Sequence, residues 1–192
     1  MPAVPGYDVF GVSRPAEQTG GDTFDLMPTE RGLVVVLGDA TGHGIAPALS
    51  VTQMQAMLRM AFRLGADLPT AFRHVNDQLA ATLPDDRFIT AFIGVLDPRA
   101  HRLEFHSGGQ GPILHLAAAT GACTVHRPTS FPLGAMPLGA LRPPVAIDLQ
   151  PGDVVLLLSD GVFEYRDPEG RDYGERRVEA IARRHGARPM AE

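Results

Sequence analysis

The stretch Leu33-Val34-Val35-Val36-Leu37-Gly38-Asp39-Ala40-Thr41-Gly42-His43-Gly44 decides how the chain folds. Five apolar residues, three of them β-branched, read as a strand buried on both faces. The strand ends at the Asp39 carboxylate, and two glycines follow that let the backbone turn tightly. Ile45–Leu64 then reads as a helix, with Pro47 tolerated in its first turn. A carboxylate at the end of a buried strand stands on a rigid support and still reaches solvent, which suits a hard cation such as Mg2+ or Mn2+. The same residues also fit a plain strand-to-helix turn whose Asp caps the helix.

Two other acids bear on that choice. Upstream lies Gly20-Gly21-Asp22-Thr23-Phe24-Asp25, and far downstream Leu156-Leu157-Leu158-Ser159-Asp160-Gly161. The second repeats the design of an apolar run, then Asp, then Gly. Two buried strands ending in Asp-containing turns, plus a Gly-Gly-Asp turn, direct carboxylates from distant parts of the chain toward one rim.

Working outward, Thr23–Pro28 and Gly32–Gly38 read as a hairpin around Thr29-Glu30-Arg31, which sets Asp22 and Asp39 at the same end. Tyr7–Ser13 reads as a short first strand. The helix from Ile45 has its apolar stripe at Leu49, Val51, Met54, Leu58 and Ala61, and Met54, Met57 and Met60 read as adaptable packing. Gly65 ends it, and Asp67 caps a second helix over Leu68–Leu83, with Leu68, Phe72, Val75, Leu79 and Leu83 on one face. Strands follow at Arg87–Leu96, Arg102–His106 and Pro112–Leu116, and Cys123 falls in a Thr-Gly-Ala-Cys-Thr-Val hairpin. Thr129–Pro144 is rich in Pro and Gly and reads as irregular. Val145–Leu149 and Val154–Ser159 are two further strands, Gly161–Tyr165 another, and Glu175–His185 a last helix. Strands, a helix pair and then more strands indicate α+β rather than alternating β-α-β.

At 192 residues the chain reads as one domain with room for a sizeable core. A net charge of −5 argues against nonspecific nucleic-acid binding. Every basic side chain apart from histidine is Arg, and the absence of Lys removes Schiff-base chemistry and a P-loop lysine. The lone Cys123 excludes an internal disulfide and fits a reducing compartment. No apolar run approaches a membrane span and no signal-peptide pattern opens the chain, so the expectation is a cytoplasmic protein without membrane insertion.

Gly-Gly-Asp-x-x-Asp, Gly-Asp-x-Thr-Gly-His-Gly and Ser-Asp-Gly-Val-x-Glu, in this order, resemble the metal-dependent protein phosphatases of the 2C type. The branch they resemble is the bacterial one named for stage II sporulation protein E and the sigma-B regulator phosphatases. Arg14-Pro15-Ala16, Phe88-Ile89-Thr90-Ala91-Phe92, Phe131-Pro132-Leu133-Gly134 and Pro151-Gly152-Asp153 also fit, so the resemblance covers nearly the whole chain. It implies two stacked antiparallel β-sheets flanked by helices, an α-β-β-α sandwich with a metal cleft. It implies a phosphoserine/phosphothreonine protein phosphatase using two Mn2+ or Mg2+ ions, whose substrate is a phosphorylated regulator such as an anti-sigma-factor antagonist. Asp39 matches the acid bridging the two metals, with the Ala40 carbonyl beside it; Asp160 matches a ligand of the second metal and Asp22 an acid near the first. Asp25 fits either the site or a structural hydrogen bond, and His43 fits a positioning role. The helix pair 45–64 and 68–83 follows the Asp39 turn directly and is the expected surface for a regulatory partner.

Two departures stand out. Many relatives read Ala-Gly-His-Asn-Pro where this chain has Gly108-Gly109-Gln110-Gly111-Pro112, and Gln cannot serve as a general acid. The family also ends with a helix and a strand carrying an Asp-Asp pair, and this chain stops at Glu192, so that segment reads as missing and the domain as truncated. Asp167, Glu169 and Asp172 stand too close to Asp160 to replace it. The alternative is a noncatalytic phosphatase-like binding module lacking a complete metal pair.

Overall fold

The hairpin closes at Gly32, whose φ is +137° and where a Cβ would stand 2.0 Å from the Leu96 carbonyl oxygen. Only glycine satisfies both the turn and the neighbouring strand. The structure, a computed structural model, describes residues 1–14 and 20–191. Pro15 and Ala16 of the Arg-Pro-Ala motif lie outside the described residues. Along the chain, β1 (Asp22–Thr29) and β2 (Gly32–Ala40) are followed by α1 (Ile45–Arg63) and α2 (Leu68–Thr82). Then come β3 (Ile89–Asp97), β4 (Arg102–Gly108), β5 (Ile113–Leu116) and β6 (Cys123–His126). β7 (Val145–Asp148) and β8 (Val154–Leu157) lead into a one-turn α3 (Asp160–Phe163) and finally α4 (Glu175–His185).

Two antiparallel sheets result, one ordered β1-β2-β3-β4-β7 and the other β6-β5-β8. Alternation along β2 feeds two cores at once. Val34, Val36 and Ala40 pack against Val51, Met54 and Leu58 of α1 and against Phe72, Val75 and Leu79 of α2. Leu33, Val35 and Leu37 face the other way, into the inter-sheet core of Phe92, Phe105, Ile113, Ile147, Val155 and Leu157. α4 covers the far side of the second sheet by setting Ala182 against Leu116 and Val154. This is the α-β-β-α sandwich, with β2 buried on both faces as its sequence requires.

The helix ends match their signals. Asp67 accepts a hydrogen bond from the Thr70 N–H at 2.8 Å, and Gly65 sits at φ +83° after α1. The phase of the α1 stripe differs from expectation. Pro47, Ser50, Val51, Met54 and Leu58 are buried, whereas Leu49 is 65% exposed. At about 100° per residue, Leu49 falls on the side opposite that row. Tyr7–Ser13 is not a strand: Tyr7 makes an isolated bridge back to Val4, and its hydroxyl pairs with His101 Nδ1 at 3.0 Å. Gly161–Tyr165 turns as α3 instead of extending, since the Glu164 N–H donates to the Asp160 carbonyl at 2.8 Å.

The irregular segment 129–144 is fixed by buried partners. Leu133 is fully buried and pairs with Ile89 through both backbone hydrogen bonds. Asn76 of α2, also fully buried, accepts from the Gly134 N–H at 3.1 Å and donates to the Met136 carbonyl at 2.9 Å. The Pro151-Gly152-Asp153 motif builds the turn into β8. Burial works to raise the Asp153 carboxyl, but donors from Ala118 N–H, His115 and Gln150 N–H outweigh it and hold the group below its ordinary range.

Two predictions test these packing assignments. Asp25 is buried under α1 and accepts two hydrogen bonds from the Arg59 guanidinium, at 2.6 and 2.7 Å. Removing either partner should cost about 1–2 kcal/mol, and Asp25→Ala/Arg59→Ala together should cost no more than the worse single change. Urea denaturation of the four proteins measures it, and fully additive losses would show that the pair is not coupled. The second concerns His106, a β4 residue whose ring lies 5.0 Å from Phe72 and whose Nε2 is buried without a hydrogen-bond partner. Burial holds its pKa below the ordinary histidine range. On acidification the unfolded chain takes up a proton here before the folded one does, so stability falls as the pH drops below about 6.5. His106→Leu should flatten that acid limb, read as a smaller drop in melting midpoint between pH 7 and pH 5.

Candidate active site

Register decides which acids meet. Asp22 of β1 lies opposite Asp39 of β2, and Asp39 lies opposite Thr90 of β3. Strand alternation puts Asp39 on the face of Leu33, Val35 and Leu37, and Asp22 on the face of Leu26, so both belong to the inter-sheet side. Asp22, Asp39 and Thr90 therefore form one row across three strands at the rim. Asp25 is three residues from Asp22 and so points to the other face, where Arg59 holds it. Its role is structural pairing to α1.

Asp160 reaches the same rim from the second sheet. It follows β8 at the first position of α3 and is exposed. Its charge is felt by both other acids. Burial, then the charges of Asp22 and Asp160, push the Asp39 carboxyl up to about 6. Burial also raises Asp22, a hydrogen bond with Ser159 works in the opposite direction, and the Asp160 charge adds to the rise. The three carboxylates form one strongly anionic field with no neutralising cation among these causes.

Gly21 shapes the floor. A Cβ there would stand 2.4 Å from the Ala40 carbonyl oxygen and 3.0 Å from Asp39 Oδ1. These two oxygens thus flank one spot that only a glycine leaves open, while the Ala40 N–H donates to the Gly21 carbonyl at 3.2 Å. The donors are hard oxygens, as Mg2+ or Mn2+ requires. Among the described residues, however, no three His, Cys, Asp or Glu side chains are gathered closely enough to form a ready-made metal site. Asp22, Asp39 and Asp160 share a field without yet sharing a point. The donor set fits such ions in kind.

Sequence reading gave no role to two members of this rim, Thr90, quoted only within a motif, and Gln110, marked only as a departure. The Thr90 hydroxyl donates to Gln110 Oε1 at 2.9 Å, and Gln110 Nε2 donates to the Leu158 carbonyl at 2.9 Å. The one available signal was the departure at Gln110 within an otherwise small-residue loop. His43 is exposed in the turn before α1. His115 pairs with Asp153 and His101 with Tyr7, away from the carboxylate row.

Comparison with known proteins places the chain in a family and supports the fold. The family profile described as stage II sporulation protein E (SpoIIE) matches residues 29–192. The phosphoserine phosphatase RsbU of Bacillus subtilis (strain 168) is 22% identical over 170 residues, covering 88% of this chain and 50% of RsbU. The crystal structure of the RsbU and RsbW domains of a Mycobacterium tuberculosis protein superposes with a TM-score of 0.77 at 27% identity, over 94% of this chain and 50% of that one. RsbX in complex with magnesium shares the fold at a TM-score of 0.66 and 14% identity, covering 91% of this chain and 84% of RsbX. The chain spans half the length of RsbU and of the mycobacterial chain. A match over most of the sequence, on two stacked antiparallel sheets, means that this protein belongs to the stage II sporulation protein E (SpoIIE) family.

Proposed function

We propose that the chain is a metal-dependent phosphoserine/phosphothreonine protein phosphatase domain of bacterial signalling. The observation that carries this is the row in which Asp22 and Asp39 face each other while both feel the charge of Asp160. Asp39, Asp22, Asp160 and the Ala40 carbonyl are the residues that would hold two Mn2+ or Mg2+ ions. Such ions would supply positive charge to the phosphoryl oxygens and would lower the pKa of the attacking water. The chain's own contribution is placement. Asp39 is held on a strand packed on both faces, Asp22 is fixed opposite it by register, and Gly21 leaves the approach open. Gln110 is a neutral amide, so the proton for the departing alkoxide does not come from that position.

The proposed substrate is a phosphorylated protein regulator, such as an anti-sigma-factor antagonist, in the cytoplasm. RsbU's name as a phosphoserine phosphatase supports this, as does the absence of any helix among the described residues long and apolar enough to cross a membrane. The outer side of α1 exposes Ile45, Leu49, Met60 and Leu64, which supports a regulatory partner on the helix pair. One observation favours the second reading, a noncatalytic binding module: the carboxylates are not gathered into a closed three-ligand set. Manganese-dependent turnover of a phosphoserine peptide separates the two, since a binding module gives none at any metal concentration.

Asp39→Asn should produce a paired signature. Turnover should fall by at least about a hundredfold, because a neutral amide replaces a carboxylate that would hold the metal ions. The metal-free protein should become more stable at neutral pH. An acid whose folded pKa is raised destabilises the folded state in its charged form; that penalty is absent below about pH 4 and complete above about pH 6. The melting midpoint of Asp39→Asn should therefore exceed wild type at pH 7.5 and match it near pH 4. Wild-type turnover at saturating manganese would overturn the assignment.

A further inference from the structure

The two sheets meet mainly through apolar side chains, among them Phe92, Phe105, Ile113 and Leu157. Such contacts are strong but not directional, and alone they fix the spacing of the sheets better than the relative position of two loops at their rim. Asp39 and Asp160 stand on opposite sides of that seam, Asp39 on β2 of the larger sheet and Asp160 just beyond β8 of the smaller. Directional contacts must set one against the other, and the hydrogen bond between Ser159 and Asp22 is one of them.

We propose that Gln110 supplies a second such contact as a positioning residue, its buried amide tying the Asp160 turn to the strand end that carries Asp39. The inference rests on the reading of those two acids as one site. Gln110 is 5% exposed and lies in the connection between β4 and β5, where the chain passes from one sheet to the other. A carbonyl can only accept, so the contact with the Leu158 oxygen places the amide nitrogen there and the amide oxygen at Thr90. The single Thr90 hydroxyl hydrogen is thereby committed to Gln110, and its 3.4 Å approach to the Asp39 carbonyl is a secondary contact. Thr90 is the cross-strand neighbour of Asp39, and Leu158 lies two residues before Asp160. The link thus runs from Asp39's strand neighbour, through one side chain, to the turn that presents Asp160.

The backbone of this loop is itself held. The Ser107 hydroxyl donates to the Gln110 carbonyl, and the Gly109 N–H donates to the Ser130 carbonyl at 3.0 Å. The side chain needs a donor and an acceptor in one plane at a four-atom reach, which Gln provides and an ionised Glu, Met or Ser does not. An amide does not titrate, so the link keeps the same form while the carboxylates around it gain or lose protons.

Hydrogen exchange on the metal-free protein tests the link independently of catalysis. The Val162 and Glu164 amides report on the turn, because they donate to the Ser159 and Asp160 carbonyls. Gln110→Met keeps length and removes both hydrogen bonds; it should speed exchange of these two amides by about tenfold while the amides of α1 and α2 keep their rates. Manganese affinity by calorimetry should weaken by a similar factor, and kcat should fall more than KM changes. Thr90→Val should reproduce the effect, Thr90→Ser should restore wild-type exchange, and Thr90→Val/Gln110→Met should be no worse than Gln110→Met. Gln110→Glu, which sets an acceptor against the Leu158 carbonyl, should be at least as disruptive as Gln110→Met. Should Gln110→Met fail to fold, the Thr90→Val and Thr90→Ser pair tests the same link. Wild-type exchange at Val162 and Glu164, or equal acceleration along the whole chain, would overturn the proposal. A wild-type protein inactive at every manganese concentration would overturn the phosphatase reading instead, and the exchange pattern would still decide the role of Gln110.

Discussion

Antiparallel pairing of β1 with β2 holds two like charges opposite each other, and much of the structure follows from that constraint. Asp22 and Asp39 are register partners at the end of the ladder. A directly opposed like-charge pair opposes sheet formation by up to about 1 kcal/mol. The opposition is overcome because β2 buries Leu33, Val34 and Val36 almost completely and is paired on both edges. Packing of the strand, remote from its acidic end, keeps the carboxylates where they repel. That tension is consistent with a site built to receive positive charge.

β2 is also common to two compartments. Its even-numbered residues form the floor beneath α1 and α2, and its odd-numbered residues face the second sheet and end at Asp39. Ala40, buried under the helices, is the very next residue, and α1 begins five residues later. Displacement of α1 would press on alternate residues of the strand that carries the central acid. Helix pair and carboxylate row are thus joined through a single strand.

Most of the fold was legible because its signals are local. The β1–β2 hairpin, the Asp67 cap, the extent of α2 and the span of α4 all followed from periodicity and terminus chemistry. The misses have physical causes. Apolar residues on α1 occur on more than one side, and only the packed sheet shows that Pro47 and Ser50, not Leu49, face it. Val162 and Phe163 carry strand-like side chains, yet the short backbone bonds around Asp160 curl the segment into a turn. At the site, the opposition of Asp22 and Asp39 could be counted along the hairpin, and so could the exclusion of Asp25, an odd number of residues away on the opposite face. The partners of Gln110 could not be read, because its bonds to Thr90 and Leu158 join residues 20 and 48 positions apart, the second pair across the two sheets.

The turn at Glu30 and Arg31 looks like the part of the hairpin most tolerant of change, being exposed and far from Asp22 and Asp39. Gly32 is seven residues from Asp39, roughly 23 Å at about 3.3 Å per residue. Yet strand side chains alternate, so a single residue inserted or deleted between the turn and either acid would carry one carboxylate to the wrong face or past its partner. Side chains along β1 and β2 can therefore be exchanged with little effect on which acids meet, but the number of residues from the turn to each acid cannot change. In this fold the length of each hairpin arm decides which carboxylates face each other.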